Sequence, residues 1–593
     1  MVEQTDYKRI PYGISDFRQL REERKYYVDK TMYLPRMEEV SNFLFCIRPR
    51  RFGKSVLLSM MRYYYDVNER DNFARLFEGL WIAEHPTPLQ GGFEVLHLDF
   101  SQVTGNGDNI HEGFKRYMNK ALDDFCKRYS HAYPEDYKME VLSCKEYDEK
   151  LAVITNSAKL FHHKLYLILD EYDNFTNNIL NEKGQEVYHA LTHATGFYRD
   201  VFKKFKGNFD RIFMIGVSPV TMDDVTSGFN IALNISTDPW FNMMLGFSEE
   251  DVRQMIRYYR EVGAIKADEE TLIADMKPWY DNYCFSEETV ETDPKMFNSD
   301  MVLYYLNNVI RLGEAPRQMV DNNTRTDYTK MRRLLLFDQI EKNEDEQGPR
   351  RGALYKIAQD GEIRRSVKSS FPADRIADRD NFVSLLFYYG MLTYGEPDGA
   401  TSRLIIPNNN VRKQYYDYLL QGYNEIAHVD TAPLEEAYGD AALRGNWEPM
   451  MRLIGEAYEA NTSVRQLIEG ERNIQGFMNA MLSLNPYYLT APEVELNHGY
   501  CDFFLMPDFM RWPMVKHSYI LELKYLKADA TDGEAESQWH AAVEQIGHYA
   551  EGAAVRRLCC GTALHSIVAQ FRGYKLVRIE QTRVEELIRS NSR

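Results

Sequence analysis

Short apolar runs in the N-terminal part of the chain predict buried strands, because each run is nearly continuous instead of alternating. They cover residues 43–47, 95–100, 165–169 and 211–218. Longer stretches with helical spacing of their apolar positions separate these runs. Strands that alternate with helices require crossover connections, so the pattern predicts a parallel sheet flanked by helices, which is an α/β fold.

A lysine-containing loop follows the first run, in the order strand, loop, Gly-Lys-Ser and helix. A helix N-terminus offers a phosphate its unpaired N–H groups and the positive end of its dipole. Lys54 would reach the β- and γ-phosphates of ATP, and the Ser55 hydroxyl would ligate Mg²⁺. Arg48 takes the place of the usual first glycine, and Gly-Lys-Ser alone is also typical of a surface turn. The predicted nucleotide contacts in the loop are Arg50, Arg51, Phe52, Gly53, Lys54 and Ser55.

The third run ends in Asp170 and Glu171. An Asp at this position would hold the Mg²⁺ shell, and the following Glu would activate the attacking water. A core strand with an acidic turn is the alternative, but the lysine loop favours the catalytic interpretation. Run 95–100, between the two motifs, matches the arrangement of the additional-strand P-loop ATPases. Ser218 ends the fourth run, where it would sense the γ-phosphate, although Ser-Pro is also an ordinary turn.

Charged residues in the C-terminal part of the chain predict a second site. Asp502 lies in one apolar stretch, and Glu522 and Lys524 end another. Two adjacent antiparallel strands would bring Asp502 near Glu522, and Glu522 and Lys524 would share a face because strand side chains alternate. The two carboxylates and the Leu523 carbonyl would form an oxygen site for Mg²⁺ or Mn²⁺. Lys524 would orient or help deprotonate a water for phosphodiester hydrolysis.

Glu-x-Lys by itself is common on surface strands, so the prediction depends on the whole group. Gln545 shares a predicted helix with Tyr549 and is the remaining candidate of the group. Glu471 and Glu493 are candidates for an upstream acid, but each is more simply a solvated side chain. The histidines of this region are better explained as polar fillers or substrate contacts than as metal ligands; they are His498 and His548.

Several segments together resemble a bacterial AAA-ATPase-like family whose members carry a C-terminal PD-(D/E)xK nuclease-like domain. They are residues 12–17, 27–31, 48–55, 216–219, 245–250, 279–283 and 405–408. The Asp502, Glu522 and Lys524 pattern resembles that of the nucleases, and Gln545 with Tyr549 resembles their exonuclease-like branch. In this family an arginine commonly stands at the position of Arg48.

The chain departs from the family pattern at two places. Asn282 stands where the family usually has glycine, so a local difference is expected in that turn. Tyr500 stands where relatives usually have arginine, which weakens the case for a phosphate contact there but leaves the acids intact. The resemblance implies a P-loop additional-strand ATPase domain over 1–245, a helical lid or winged-helix-like region over 246–455, and a restriction-endonuclease-like domain over 456–593.

Composition limits the class of protein. A chain of 593 residues with 44% hydrophobic residues is large enough for several buried cores. No apolar run approaches the length of about 18 residues that a bilayer requires, and no signal-peptide pattern begins the sequence, so neither a membrane partner nor export is predicted. The 7 cysteines lack paired metal spacing and predict reduced thiols in the cytoplasm.

The net charge of −18 opposes binding to nucleic acid, which needs local cations. Basic stretches at 199–211 and 350–368 could supply local cations for nucleic acid, although solvated helix faces or loops explain these stretches equally well. Two functions remain. One is an ATP-regulated, metal-dependent nuclease that acts on nucleic acid, with DNA as the favoured partner and a homo-oligomer as a candidate assembly. The other is an ATP-dependent switch whose nuclease-like domain binds nucleic acid or protein without cutting.

Overall fold

A computed structural model of the chain describes two compact units. It describes residues 7–104, 109–174, 197–219, 232–320, 353–460 and 471–582, apart from 373–374, 377, 398, 400, 427–431, 497–498, 553–554, 556–557 and 560. Of these, the first unit comprises 7–314, 318–320 and 362–409, and the second comprises 315–317, 353–361 and 410–582. The division into domains 1–245, 246–455 and 456–593 stays a prediction.

A five-stranded parallel sheet is the centre of the first unit. Its strands are β1 (Phe43–Ile47), β2 (Glu94–Asp99), β3 (Leu165–Asp170), β4 (Arg211–Gly216) and β5 (Leu233–Asn234). Their order across the sheet is β2-β3-β4-β1-β5, and all neighbours are parallel. Strand β4 thus lies between the loop strand β1 and the acidic strand β3, and β2 is the edge. This is the predicted additional-strand P-loop architecture.

The α-helices of both units are numbered in chain order. They are α1 (Phe17–Glu22), α2 (Tyr33–Val40), α3 (Lys54–Tyr65), α4 (Phe73–Leu76), α5 (Trp81–Glu84), α6 (Ile110–Tyr129), α7 (Tyr137–Ser143), α8 (Tyr147–Leu160), α9 (Phe197–Asn208), α10 (Glu249–Glu261), α11 (Glu269–Tyr280), α12 (Ser299–Leu312), α13 (Ala353–Asp360), α14 (Arg379–Tyr388), α15 (Asn409–Ile426), α16 (Ala432–Arg444), α17 (Glu448–Ala460), α18 (Glu471–Leu482) and α19 (Asp532–Ala550).

The middle of the chain is mainly helical, as predicted. Ser248 and Asp251 form a capping box that starts α10. Short strands form two small sheets, one of β6 (Phe247–Ser248) with β7 (Met296–Phe297), the other of β8 (Glu362–Arg364), β9 (Thr393–Tyr394) and β10 (Arg403–Ile405) in the order β8-β10-β9. The antiparallel sheet of β8, β9 and β10 belongs to the same part of the chain as α14. The sequence predicts a lid or winged-helix-like element in this region.

Phe52 connects the lysine loop to the segment that follows the sheet. Its ring is 1% exposed and packs edge-on against Tyr283 and Phe285, with centroids at 4.9 and 5.4 Å. The backbone N–H of Gly246 donates to the Phe52 carbonyl over 3.1 Å. Gly246 has φ +88, and a Cβ there would lie 3.0 Å from the Phe52 ring and 3.0 Å from the Phe297 carbonyl. Glycine is therefore required at 246 both for conformation and for space.

Asn282 keeps the turn that a glycine would form. Its φ of 80 lies in the left-handed region, which asparagine tolerates better than most residues. The Asn282 side-chain amide donates to the Pro407 carbonyl over 3.0 Å, and the Asn408 amide donates to the Asp281 carbonyl over 2.9 Å. These two hydrogen bonds join the segments 279–283 and 405–408.

A five-stranded mixed sheet is the centre of the second unit. Its strands, β11 (Tyr488–Leu496), β12 (Gly499–Pro507), β13 (His517–Leu526), β14 (Ala563–Arg572) and β15 (Lys575–Thr582), follow the chain order across the sheet. Only the pair β13 and β14 is parallel, and α19 provides the crossover between them. One side of α19 buries Trp539, Ile546 and Tyr549 against the sheet.

In the part of the chain that the structure describes, no helix combines the length and apolar character needed to cross a bilayer.

The packing of Gly246 against Phe52 predicts a stability difference between two glycine variants. Gly246→Ala and Gly263→Ala both place an alanine at positive φ, but nothing lies within 4 Å of a Cβ at 263. Both variants bear the backbone cost, about 1–2 kcal/mol. Only Gly246→Ala adds overpacking, roughly 1–3 kcal/mol. Calorimetric melting should show the larger loss of stability at 246. Equal losses for the two variants would contradict the described packing.

Candidate active sites

The lysine loop turns from β1 into α3 through backbone in the left-handed region. Arg51 has φ 68 and Gly53, the residue before the helix, has φ 88. This turn directs the first N–H groups of α3 toward the space above the strand ends, where an anion would bind. Of the other predicted nucleotide contacts, Arg50 is exposed and Arg51 pairs with Asp300 over 2.7 Å.

Lys54 is folded back over the loop. Its Nζ donates to the carbonyl oxygens of Arg48 and Pro49 over 3.2 and 2.9 Å, and the residue is 7% exposed. Burial lowers the pKa of Lys54, while Asp170 and Glu171 oppose that change. Since this desolvated ammonium donates to neutral carbonyl groups, a charge-assisted hydrogen bond to a phosphate would stabilise it further.

Arg48 does not face the predicted phosphate site. Its guanidinium is 1% exposed and donates to the carbonyl oxygens of Ile47, Ser236 and Phe241, the last over 2.9 Å. It also lies 4.3 Å from the centroid of the Phe285 ring. The arginine in place of the first loop glycine therefore holds the end of β1 against the segment that follows β5, a role that sequence reasoning did not foresee.

Ser55 and Asp170 meet at the ends of β1 and β3. The Ser55 hydroxyl donates to Asp170 Oδ2 over 3.0 Å. Burial raises the pKa of Asp170 to about 6, which the Ser55 hydrogen bond and Lys54 partly oppose. A hydroxyl and a carboxylate are hard oxygen donors of the kind that Mg²⁺ prefers, so this pair fits the predicted ion.

Glu171 is next to this pair but is engaged elsewhere. Its carboxylate accepts a hydrogen bond from the Asn174 side chain over 2.6 Å, and its backbone has φ 47. Its own N–H donates to Asp170 Oδ1 over 2.9 Å. Glu171 directly follows β3, and the Asn174 hydrogen bond occupies one of its carboxylate oxygens, Oε2.

Ser218 is buried behind the strand ends. The buried carboxylate of Asp173 accepts from the Ser218 N–H over 2.7 Å and from the Val217 N–H over 3.2 Å. A Cβ at Gly216 would lie 2.5 Å from Asp173 and from the Tyr172 ring, so only glycine fits there. Sequence reasoning missed Asp173, although its spacing from Asp170 in the acidic segment was visible. The sensor role of Ser218 stays a prediction.

A small apolar pocket of about 100 Å³ lies on the other side of the loop. Gly53, Val56, Tyr26, Tyr27 and Leu245 are among its lining residues. The loop residues Phe52 and Gly53 line this pocket, so it directly adjoins the loop. Residues of the segments 12–17, 27–31 and 245–250, which carry the family resemblance, also line this pocket. Their spacing in the sequence does not predict a pocket.

The predicted nuclease residues lie on adjacent strands of the second unit. The antiparallel pairing of Phe503 with Leu521 places Asp502 beside Glu522. Asp502 Oδ2 accepts from the backbone N–H of Leu523 over 2.7 Å, and burial raises its pKa. Lys524 Nζ donates to Glu522 Oε1 over 2.6 Å, and Glu522 is 2% exposed. The predicted same-face geometry of Glu522 and Lys524 is present.

Two glutamines flank these residues. Gln475 of α18 donates to Asp502 Oδ1 over 2.7 Å, a hydrogen bond that sequence reasoning missed. Gln545 donates to the Tyr549 hydroxyl over 2.6 Å, one turn along α19. Among the described residues no group of three or more His, Cys, Asp or Glu side chains could hold a metal. Asp502 and Glu522 still fit Mg²⁺ or Mn²⁺ as oxygen donors, with the remaining ligands from backbone, water or substrate.

Family models match both units. Residues 11–226 match the model described as a predicted AAA-ATPase, and residues 469–581 match that of the PD-(D/E)XK nuclease superfamily. The chain thus contains a region that matches the predicted AAA-ATPase model and, toward the C-terminus, one that matches the PD-(D/E)XK nuclease superfamily, and the predicted resemblance is confirmed.

A curated relative is an uncharacterized protein in the vnfD 5' region of Azotobacter chroococcum mcd 1, 24% identical over 296 residues, or 48% of this chain. The chain spans about half the length of this relative, 50%.

Two solved structures are similar to the chain at a low level. The ORC2 protein of Aeropyrum pernix, in ADPNP and ADP complexes, has 12% identity and a TM-score of 0.31 over 66% of this chain and 92% of that one. Cdc6p of Pyrobaculum aerophilum has 10% identity and a TM-score of 0.24 over 71% and 97%. Both scores are too low to argue from, so the fold assignment rests on the strand order.

The raised pKa of Asp170 predicts a pH-dependent effect of Asp170→Asn. The folded-state pKa of about 6 exceeds the ordinary 3.8. The wild-type protein therefore loses stability as the pH rises from about 4 to about 6, when the buried carboxyl must ionise. Asparagine removes that cost. In EDTA, urea denaturation should give the variant an advantage near zero at pH 4 and up to about 3 kcal/mol at pH 8. A constant difference across this range would contradict the described burial.

Proposed function

We propose that this chain binds and hydrolyses ATP in the cytoplasm and that this activity controls a metal-dependent nuclease that acts on DNA. The observation that carries the proposal is the 3.0 Å hydrogen bond between Ser55 and Asp170, at adjacent ends of the loop helix and the acidic strand. A serine after a loop lysine and an aspartate at a strand end are the two protein groups that hold Mg²⁺ in P-loop enzymes.

In the proposed ATPase site each group has a separate role. Lys54 exchanges the carbonyl groups of the loop for the β- and γ-phosphates. Ser55 and Asp170 hold Mg²⁺, which would neutralise charge that develops on the phosphate oxygens. Glu171 leaves Asn174, orients the attacking water and accepts its proton. Tyr26 and Tyr27 contact the base from the apolar pocket.

In the proposed nuclease site Asp502 and Glu522 hold a divalent ion, which would activate water and polarise the scissile phosphate. Gln475 and the Leu523 N–H keep the Asp502 carboxylate in place. Lys524 leaves Glu522 for the water or for the negative charge at phosphorus. Tyr549 and Gln545 lie on the helix beside these groups, within reach of a substrate.

A second candidate function is an ATP-dependent switch whose nuclease-like unit binds without cutting. The specific observation in its favour is that both oxygens of Asp502 already accept hydrogen bonds, from Gln475 and from the Leu523 N–H. The basic stretch 199–211 is also partly neutralised, because Lys203 pairs with Asp200 and Lys204 with Asp148. A metal at Asp502 would therefore share the carboxylate with these two donors or displace one of them.

Two variants separate nucleotide binding from turnover. Lys54→Ala should weaken ATP binding by about 1.5–3 kcal/mol, because it removes a charge-assisted hydrogen bond to phosphate. Glu171→Gln should bind ATP normally and hydrolyse it about 10²-fold or more slowly, because it removes the base. Calorimetry and phosphate release measure these effects. Glu261→Gln, an exposed neutralisation in the same unit, is the control. Unchanged binding by Lys54→Ala would exclude the site.

Cutting by the second unit is tested with Asp502→Asn and Lys524→Met. Each should lower cleavage of linear or circular DNA in Mg²⁺ or Mn²⁺ about 10²-fold or more, since each removes a group that acts on the transition state. ATP hydrolysis should persist in both variants. Lys575→Met, which removes an exposed lysine paired with Glu459 in the same unit, should cut normally. If the wild type cuts no nucleic acid but binds DNA, the switch function replaces the nuclease.

A further inference from the structure

A polar cleft of about 790 Å³ lies along the edge strand β2, between α3 and α6. This volume is within the range of ligand sites, roughly 300–1,000 Å³. Ser55 and Asp170 line one end of the cleft. Gly53 is absent from its lining and borders the apolar pocket instead. The cleft therefore adjoins the metal end of the loop site but is separate from the place where a nucleotide base would enter.

Both helices present one face to the cleft. Ser55, Ser59 and Arg62 line it from α3 at positions i, i+4 and i+7, and Arg116 and Lys120 line it from α6 at i and i+4. Residues at these spacings share one side of a helix. Cations from two elements thus face the same space.

These cations are available to a ligand. Within the described residues, Arg62, Arg116 and Lys120 form no ion pair and donate no side-chain hydrogen bond; Arg62 only lies over the Tyr63 ring, 5.5 Å from its centroid. Arg128, the remaining cation of the lining, is different because it pairs with Asp66 over 2.7 Å. Three long side chains therefore supply donors that no protein group in the described part of the chain uses.

The carboxylates of the cleft are engaged. Asp16 accepts from the Ser59 and Tyr63 hydroxyls over 3.2 and 3.1 Å, and Asp99 accepts from Gln102 over 3.0 Å. The formal charges of the lining cancel, because Asp124 and Asp170 complete four acids against four cations. What the cleft offers is consequently a set of unused hydrogen-bond donors and not a positive field, which favours a ligand rich in acceptor oxygens.

His97 adds a second, independent observation. It lines the cleft from β2, and its Nε2 is buried with no hydrogen-bond partner within the described residues. Burial, assisted by Arg62, lowers the pKa of His97 to about 4, so the ring is neutral at pH 7. A buried polar atom without a partner costs free energy that a bound ligand or water would recover.

We propose that this cleft is a second phosphate-binding site, which takes the phosphodiester groups of a nucleotide-size ligand or of a nucleic-acid strand. Arg62, Arg116 and Lys120 bind the phosphate oxygens, as guanidinium and ammonium groups do in charge-assisted hydrogen bonds. The proposal stands on the cleft alone. It does not require ATP hydrolysis or DNA cleavage, and failure of either would leave it intact.

The experiment measures binding of a fluorescein-labelled single-stranded deoxyhexanucleotide by anisotropy. It uses the full chain with Lys54→Ala in EDTA, so that the loop site and metal-dependent cutting do not contribute. Arg116→Gln/Lys120→Gln should bind the probe at least tenfold more weakly. The slope of log K against log salt concentration should become shallower by about 0.7 for each phosphate that the variant no longer neutralises. Arg62→Gln, on the opposite wall, should act in the same direction.

Lys266→Gln/Arg311→Gln is the matched control, since it removes the same charge at exposed positions outside the cleft. It should bind as the parent does. Competition between the labelled hexanucleotide and the unlabelled dinucleotide pApA identifies the source of the phosphates. If pApA displaces the probe as well, mole for mole, as unlabelled hexanucleotide does, the ligand is small. If pApA does not displace the probe, the ligand is a strand. Equal affinity of the parent and Arg116→Gln/Lys120→Gln, or no binding of either probe by the parent, would overturn the proposal.

Discussion

The buried guanidinium of Arg48 is the interaction on which the first unit depends. A cation enclosed in protein needs partners for its donors, and here Nη1 and Nη2 of Arg48 donate to three carbonyl groups while the guanidinium lies over the face of Phe285. Those carbonyls belong to β1 and to the segment after β5, so the guanidinium holds the start of the lysine loop against the far side of the sheet. Phe52 holds the other end of the loop against Tyr283.

Because the lysine loop is held at both ends, the side chains on it and next to it keep defined positions. Left-handed backbone at Arg51 and Gly53 is maintained because the buried side chains of Phe52 and Lys54, on either side of Gly53, hold the loop in place. Lys54 and Ser55 then lie close to Asp170 at the strand ends. Two spaces of different character open on either side of this point. The apolar pocket suits a base, and the polar cleft along β2 offers unused donors.

In the second unit, strand pairing brings the candidate nuclease residues together. Because side chains alternate along a strand, Glu522 and Lys524 share a face, and the antiparallel register brings Asp502 beside them. Gln475, which comes from a helix earlier in the chain, holds one oxygen of Asp502. The site is thus assembled from local periodicity and from one hydrogen bond that only packing of α18 against the sheet provides.

Local patterns in the sequence predict the helices, the strands and the candidate site residues. Apolar runs predicted β1 to β4 and the helices between them, because these elements depend on local periodicity. Residue type and spacing predicted the candidate site residues, because phosphate and metal ions prefer particular side chains. Those residues are Lys54, Ser55, Asp170, Asp502, Glu522 and Lys524. Only the tertiary structure decided the order of strands, the structural role of Arg48, the hydrogen bonds of Gln475 and Asp173, and the two cavities. These depend on residues far apart in the chain, and the alternation of side chains along one segment carries no information about which other segment will face it.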